Sequence, residues 1–226
     1  MPELRHIDGY DCLCVPDANA GDAGAASVCY LISPVPVDPE TAETWARRRG
    51  IVVVSGTDWG NDMTPWPAPG IVKGGDDFGG NAAKFLSIFR GRILPECERA
   101  LHIHGDCIRS LAGLSLSGLF ALYAWLSCDE FTNIGSISGS FWYEGFADWF
   151  ESRRPVSKAG CAYFSLGDKE GKGGNPRFAG VRENTSSIIM KLREDGVRTM
   201  FESTPGTHFT PFIPRMERLL TWLDSL

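Results

Sequence analysis

Residues 111–118 have the composition of a turn that presents a nucleophile. They read LAGLSLSG, with Ser115 at the centre, Gly113 two residues before it and Ser117 two residues after it. A nucleophile held on a sharp strand-to-helix turn requires very small residues at those two positions, because the strand and the helix pass close together there. Glycine usually fills the second position, and serine is among the next smallest residues. We therefore predict that Ser115 is a nucleophile, although an ordinary strand-to-helix junction would also contain small residues.

A serine hydroxyl is a poor nucleophile until a base takes its proton, and His208 is the histidine best placed for this role. It lies in the segment TPGTHF, between the last predicted strand and the last predicted helix. In hydrolases that use such a turn, the chain order is serine, acid and then histidine. Of the other histidines, His6 lies at the chain start, and His102 and His104 precede the turn. The alternative for His208 is an exposed loop histidine without a catalytic role.

The acid of such a site is expected just after the preceding strand, where the chain reads Gly167-Asp168-Lys169-Glu170. Hydrolases that use such a nucleophile turn often place the acid three residues past a glycine at the strand end, which favours Glu170. Asp168 is shorter and nearer to the strand, and it remains the alternative. Either carboxylate would hold the imidazole in the correct tautomer and stabilise the imidazolium that forms during attack.

Two backbone N–H groups are expected to bind the oxyanion that forms during attack. One is that of Leu116, at the start of the helix behind Ser115, where the helix dipole adds a partial positive charge. The other is expected from the loop GTDWGNDMTPW, which follows a predicted strand. Trp59 is the favoured donor in this loop, and Asp58 is the alternative.

Four aromatic residues are predicted to line a substrate cleft beside Ser115. Trp59 and Trp66 belong to the loop just described, and Phe141 and Trp142 follow another predicted strand in the segment SISGSFWY. Indole and phenyl faces offer flat apolar walls that suit short acyl or aromatic groups. Ordinary packing is the alternative, since the chain contains seven tryptophans.

The elements that must position these residues alternate between strands and helices, which predicts an α/β fold with a mostly parallel central sheet and helices on both faces. Strands are predicted over residues 26–32, 51–55, 108–113, 133–138, 161–166 and 197–203. Helices are predicted over residues 39–48, over 82–94 after Asn81, over 116–126, from Pro176 until Gly196, and from Pro214 onward. Parallel strands end at one edge of a sheet, so the loops that carry the candidate residues are expected to converge there.

Composition excludes several function classes. The 226 residues fit a single domain over 1–226, with a net charge of −6 and no Lys/Arg block, which argues against nucleic acid and anionic membranes as partners. No apolar run approaches a membrane span, and the chain start lacks the pattern of a secretion signal. The seven cysteines are scattered and odd in number, which favours free thiols and a cytoplasmic location. The aspartates of the loops have no metal-site spacing, so neither a metal nor another cofactor is expected.

Taken together and in order, the segments GLSLSGLFALYA, SISGSFWY, GDKE and GTHF resemble the α/β-hydrolase superfamily, in the branch of enterochelin (siderophore) esterases and esterase-D-like hydrolases. The resemblance extends from Ile51 to the chain end. It implies a compact α/β-hydrolase fold, with Ser115 as nucleophile, His208 as base, Glu170 or Asp168 as acid and Trp142 as a pocket wall. Only about twenty residues separate the SISGS and CAYFSL strands, so no large lid is expected there.

The function expected from these residues is a serine esterase that acts on a small-molecule ester through an acyl-enzyme. Two alternatives remain. One is a catalytically weak binding module, which Ser117 would favour, because a displacement of about 1 Å at the nucleophile can reduce the rate about 100-fold. The other is an acyltransferase with the same triad. A homodimer is also possible.

Overall fold

The computed structural model of the protein describes residues 1–20, 26–103, 106–156, 160–172 and 174–226, so that His104 lies outside the described residues. The strands are β1 (Glu3–Ile7), β2 (Tyr10–Val15), β3 (Ser27–Ile32), β4 (Gly50–Ser55), β5 (Pro67–Ala68), β6 (Phe78–Gly79), β7 (Ile108–Leu114), β8 (Asn133–Ile137), β9 (Cys161–Gly167) and β10 (Arg198–Thr204). The α-helices are α1 (Pro39–Trp45), α2 (Trp59–Asp62), α3 (Ala82–Ile88), α4 (Leu94–Ala100), α5 (Leu116–Trp125), α6 (Phe146–Glu151), α7 (Val181–Glu194) and α8 (Phe212–Leu223).

Eight of the strands form one sheet in the order β1-β2-β4-β3-β7-β8-β9-β10. From β4 to β10 every neighbouring pair is parallel, whereas β1 and β2 form an antiparallel hairpin that adds to β4. The central strands β4 and β8 are buried along their whole length, as expected for strands covered on both faces. This confirms the predicted α/β fold with a mostly parallel sheet.

Two hydrophobic cores lie on opposite faces of the sheet. The larger one packs α3, α4, α5 and α7 against one face, and its largest buried side chain is Trp125 of α5. The smaller one packs α1 and α8 against the other face, around Trp45 and Leu219. Side chains from successive positions of β3 alternate between the cores, with Tyr30 in the larger and Leu31 in the smaller. Helices therefore cover both faces, as predicted.

The structure differs from the sequence expectations in several elements. The hairpin of β1 and β2 and the short helix α6 were not predicted, and α8 begins at Phe212 rather than at Pro214. Pro176 opens a single 3₁₀ turn, Pro176–Phe178, and α7 begins only at Val181. A proline is tolerated within the first helical turn because its missing N–H would have no acceptor there, so Pro214 marks a helix start only approximately.

Two further findings concern membranes and thiols. No helix in the described part of the chain is long and apolar enough to cross a membrane. All seven cysteines are free thiols, and five of them are buried. Burial raises the pKa of the Cys29 thiol to about 11, which is typical of an unreactive buried cysteine.

Candidate active site

Ser115 lies on a tight turn between β7 and α5. Its φ of 61° is in the region that L-residues rarely adopt, and such strain is found where the surrounding structure forces it. Gly113 permits the turn, because a Cβ atom on it would lie 2.4 Å from Ser117 Oγ and 2.5 Å from the Ser117 carbonyl carbon. Gly118 has a similar role, since a Cβ there would lie 2.8 Å from Ser136 Oγ. The strand and the helix thus pass as close together as the sequence predicts.

Ser117 fits this turn through its hydroxyl group. Its side chain is buried, and its Oγ accepts a hydrogen bond from the Leu114 N–H at 2.9 Å. The hydroxyl proton is within reach of both the Ile32 and the Leu114 carbonyl oxygens, each at 2.9 Å. The serine at the position where glycine is usual is therefore bonded to both β7 and the neighbouring strand β3.

His208 lies in the loop between β10 and α8, with its imidazole directed at Ser115. Its Nε2 atom is 3.0 Å from Ser115 Oγ. Its Nδ1 atom is 3.2 Å from Oε2 of Glu170. The three side chains thus form a continuous hydrogen-bonded chain, in which each distance is compatible with proton transfer or tautomer control.

Glu170 is buried, with an exposed fraction of 7 %, and both of its carboxylate oxygens are engaged. Oε2 faces His208, while Oε1 accepts hydrogen bonds from the Gly167 N–H at 2.6 Å and from the Ser138 hydroxyl. Burial by itself raises the pKa of Glu170, but the hydrogen bonds from His208, Ser138 and Gly167 outweigh it and hold the pKa below its usual range. Glu170 is therefore ionised at neutral pH.

Asp168, the alternative acid, has a different set of contacts. Its Oδ1 atom accepts a hydrogen bond from the Gly206 N–H at 2.9 Å, and its own N–H donates to the Thr204 carbonyl at 2.8 Å. The Asp168 side chain is exposed, and in the described part of the chain the carboxylate within hydrogen-bond distance of His208 belongs to Glu170. Asp168 holds the loop that carries His208 rather than contacting the imidazole.

The start of α5 and the start of α2 offer two backbone N–H groups at one edge of the sheet. Leu116 and Trp59 are the first residues of these helices, and a first-turn N–H has no acceptor within its helix. The Asp58 N–H, the alternative donor, is already hydrogen-bonded to Asp62 Oδ2 at 2.9 Å. This contact leaves Trp59 as the available donor of the pair.

The register of the sheet brings the two helix starts together. Val54 of β4 and Gly113 of β7 both pair with Ile32 of β3, one on each side. The loops after β4 and β7 therefore leave the same edge of the sheet only two strand spacings apart, or about 10 Å. Both helix starts therefore lie at the edge of the sheet that carries Ser115.

The three tryptophans that were predicted to line a cleft are all half-buried. Trp142 is half-buried, packs against Phe178 at a ring distance of 4.8 Å and lies 5.7 Å from the Arg177 guanidinium carbon. Trp59 is also half-buried and packs against the larger core. Trp66 is half-buried, and its Nε1 donates to the Glu144 carbonyl at 2.9 Å.

The prediction that Phe141 lines the cleft is wrong. Its side chain is only 1 % exposed, and its ring lies 5.8 Å from that of Phe146 and 6.0 Å from that of Phe164. Phe141 is therefore a core residue, because a ring covered on all sides by protein cannot contact a substrate. Phe209, which the sequence did not single out, is instead 91 % exposed, with its ring 5.5 Å from that of His208.

Three polar residues near the site were also not predicted. Ser140 Oγ lies 3.3 Å from Ser115 Oγ, and its N–H donates to the Ser115 carbonyl at 3.1 Å. Ser138 contacts Glu170, and the guanidinium of Arg215 donates to Ser138 Oγ at 2.6 Å. For Arg215 the sequence did contain a signal. It lies four residues before Leu219 and so falls on the apolar stripe of the last helix, where a charged side chain is unusual.

No group of three or more His, Cys, Asp or Glu side chains that could hold a metal ion occurs among the described residues. In the loop after β4, the nearest candidates, Asp58 and Asp62, are occupied by hydrogen bonds to the backbone and to neighbouring side chains. The chemistry that the site offers is that of a hydrogen-bonded serine, imidazole and carboxylate beside free helix N–H groups.

Comparison with known proteins gives relatives with the same architecture. A Shewanella oneidensis crystal structure described as an IroE-like serine hydrolase matches with a TM-score of 0.75 and 17 % identity, over 92 % of this chain and 75 % of that one. The siderophore hydrolase EstA of Aspergillus nidulans matches with a TM-score of 0.71 and 19 % identity, over 96 % of this chain and 90 % of that one. At such low identity these matches show a common fold.

Sequence comparison gives a relative and a family. The uncharacterized protein YbbA of Bacillus subtilis strain 168 is 30 % identical over 138 residues, a stretch that covers 60 % of this chain and 55 % of that protein. The model of the family described as "Putative esterase" matches residues 37–223, a range that contains Ser115, Glu170 and His208. The chain therefore belongs to this esterase family and has the α/β-hydrolase fold.

Proposed function

We propose that the protein is a serine esterase in which Ser115 is the nucleophile, His208 the general base and Glu170 the acid. The observation that carries this proposal is the hydrogen-bonded chain from Ser115 Oγ to His208 Nε2 at 3.0 Å and from His208 Nδ1 to Glu170 Oε2 at 3.2 Å. Its membership of an esterase family supports the same reaction type.

In the proposed mechanism, His208 Nε2 takes the hydroxyl proton as Ser115 Oγ attacks the ester carbonyl carbon. The N–H groups of Leu116 and Trp59 bind the oxyanion of the tetrahedral intermediate, and ionised Glu170 stabilises the imidazolium. When the intermediate collapses, the C–O bond to the alcohol breaks, and His208 returns the proton to the alcohol. Water then attacks the acyl-enzyme with His208 again as base, which releases the acid and restores Ser115.

The substrate that this site fits best is a small ester with a short acyl or aromatic group. The exposed Phe209 provides a flat apolar surface beside His208, and the half-buried Trp142 lies two residues after Ser140, whose hydroxyl group contacts that of Ser115. Between β8 and β9 the described chain contains one short helix, α6, and no long apolar insertion that would cover a lipid chain. Aromatic rings gain dispersion and edge contacts on such surfaces without a deep tunnel.

A fluorophosphonate probe and a panel of aryl esters of increasing acyl length test this proposal. We expect the wild-type protein to be labelled on Ser115 and to hydrolyse the short esters. Ser115→Ala should lose both properties, and Ser87→Ala, which changes an exposed serine on α3, should keep both. A folded wild-type sample that the probe does not label would refute the proposal.

The alternative of a binding module depended on the serine at position 117, which could have displaced the nucleophile. Two observations argue against it: Ser117 is hydrogen-bonded within the turn, and Ser115 Oγ lies within hydrogen-bond distance of His208 Nε2, at 3.0 Å. An acyltransferase would use the same triad and differ only in the acceptor of the acyl group. Labelling of Ser115 without hydrolysis of any ester in the panel would favour that function.

A further inference from the structure

Behind the carboxylate of Glu170 lies a buried guanidinium, that of Arg215 on α8. Its side chain belongs to a residue that is 2 % exposed. Its Nη2 atom donates to Ser138 Oγ at 2.6 Å, lies 3.5 Å from Ser165 Oγ and is 3.7 Å from Glu170 Oε1. Arg215 is therefore on the opposite side of the carboxylate from His208.

Packing does not explain an arginine at this position. Arg215 falls on the apolar stripe of α8, where Met216 and Leu219 form part of the smaller core. A buried charge is costly unless it is paired, and in the described part of the chain Nε and Nη1 of Arg215 have no hydrogen-bond partner. An apolar side chain of similar length would avoid this cost, so the charge is expected to have a function.

We propose that Arg215 is a positioning residue that acts through Ser138 on Glu170, keeping the carboxylate ionised and its Oε2 atom directed at His208. The inference rests on the proposed function, since it needs Glu170 to be the acid of the triad. The Ser138 hydroxyl connects the two charged groups, because it accepts from Arg215 and donates to Glu170 Oε1. With Oε1 held in this way and by the Gly167 N–H, Oε2 is left for the imidazole.

The charged and titratable groups around this pair fix the sign of the effect. Glu170 faces His208 on one side and Arg215 on the other. Burial lowers the pKa of Arg215 below the usual range, whereas the negative charges of Glu170 and of Glu202 on β10 favour its charged form. Arg215 also faces Tyr163 of β9, whose pKa is raised by burial, so that its phenol is neutral. The Arg215 cation disfavours a proton on Glu170, because its Nη2 atom lies 3.7 Å from the carboxylate.

Removal of this cation should therefore make it easier to protonate Glu170. The acid limb of the kcat/KM profile then moves to higher pH. For Arg215→Met we expect a shift of about one pH unit, which is the lower end of the effect of a neighbouring charge on a carboxylate. The plateau value of kcat should fall about 10-fold or more, because Oε2 loses its fixed orientation.

Arg215→Lys keeps a positive charge but loses the planar fork, so its acid limb should stay nearer to that of the wild type than the limb of Arg215→Met. Arg218→Met is the matched control. Arg218 is on the same helix, is exposed and pairs with Glu202, so its loss removes one arginine without touching Glu170. Its pH profile should coincide with that of the wild type.

The experiment measures kcat and KM for a short aryl ester from pH 5 to pH 9, together with the melting temperature of each variant. An Arg215→Met variant that is folded but has the wild-type acid limb and plateau would overturn the proposal. If that variant does not fold, Ser138→Ala decides, because it removes the hydroxyl that connects Arg215 to Glu170, and a wild-type acid limb and plateau for Ser138→Ala would overturn the proposal equally. Absence of labelling and hydrolysis in the wild type would instead refute the proposed function, and this inference with it.

Discussion

Asp168 Oδ1 accepts a hydrogen bond, at 2.9 Å, from the N–H group of Gly206, the residue two positions before His208. The carboxylate that was an alternative acid thus fixes the loop that carries the imidazole. The same loop is held from the other side, because the Lys169 N–H donates to the Gly206 carbonyl at 2.9 Å. The two acidic residues of the GDKE turn therefore have separate tasks.

This division predicts different effects for the two amide substitutions. Glu170→Gln should lower kcat by about 10³- to 10⁴-fold, because an amide at this position favours the wrong imidazole tautomer and does not stabilise the imidazolium. Asp168→Asn should cost far less, since its amide oxygen can still accept from Gly206. Steady-state kinetics on an aryl ester measures both, and the reverse ranking would transfer the role of acid to Asp168.

Gly113 should tolerate no side chain. In Gly113→Ala the new Cβ would lie 2.4–2.6 Å from atoms of Ser117, including its carbonyl carbon, so the turn would have to open. We expect the free energy of unfolding to fall by about 3 kcal/mol or more and labelling of Ser115 to be lost.

Gly91→Ala provides the matched control for this substitution. Gly91 lies in the π-helical segment Phe89–Ile93, where an added Cβ meets no atom within 4 Å. Chemical denaturation should show it to be as stable as the wild type or slightly more stable. Equal stabilities of the two variants would contradict the packing that we describe for the turn.

Ser117→Ala should separate the size of residue 117 from its hydrogen bonds. Alanine fits beside Gly113, but the Leu114 N–H loses its acceptor and the hydroxyl bond to β3 is removed. We expect the free energy of unfolding to fall by about 1–2 kcal/mol, with a slower but measurable labelling of Ser115. A variant as stable as Ser87→Ala would show that the hydroxyl contributes nothing to the turn.

Trp142→Ala should raise KM for aryl esters more than it lowers kcat. The indole packs against Phe178 and beside Arg177, away from the triad hydrogen bonds, so its loss removes a binding surface and leaves the reacting groups in place. The wild type should also prefer short acyl chains to chains of about 12 carbons. A fall in kcat that is larger than the rise in KM would contradict the role of Trp142 as a binding surface. A preference for long acyl chains would show a deeper cleft.

The sequence alone determined the parts of this protein that depend on local chemistry. The small residues around Ser115, the chain order of Ser115, Glu170 and His208, and the alternation of apolar strands with amphipathic helices were all readable from residue types and spacing. Strand ends were predicted within one residue for all six parallel strands, because glycine, proline or a polar residue follows each of them. The N-terminal hairpin was not predicted. Asp8 and Gly9 form its turn, but the residues on either side alternate only weakly between apolar and polar types.

Contacts between residues distant in sequence were decided only by the tertiary structure. Glu170 and Asp168 have the same charge and differ by two positions, so the direction that each takes after β9 depends on the loop around Gly206. Phe141 and Trp142 are adjacent aromatics, yet one is in the core and the other is half-exposed, because α6 covers only one of them. Arg215 reaches Glu170 from a helix 45 positions further along the chain, and only the packing of α8 on the sheet brings the two together.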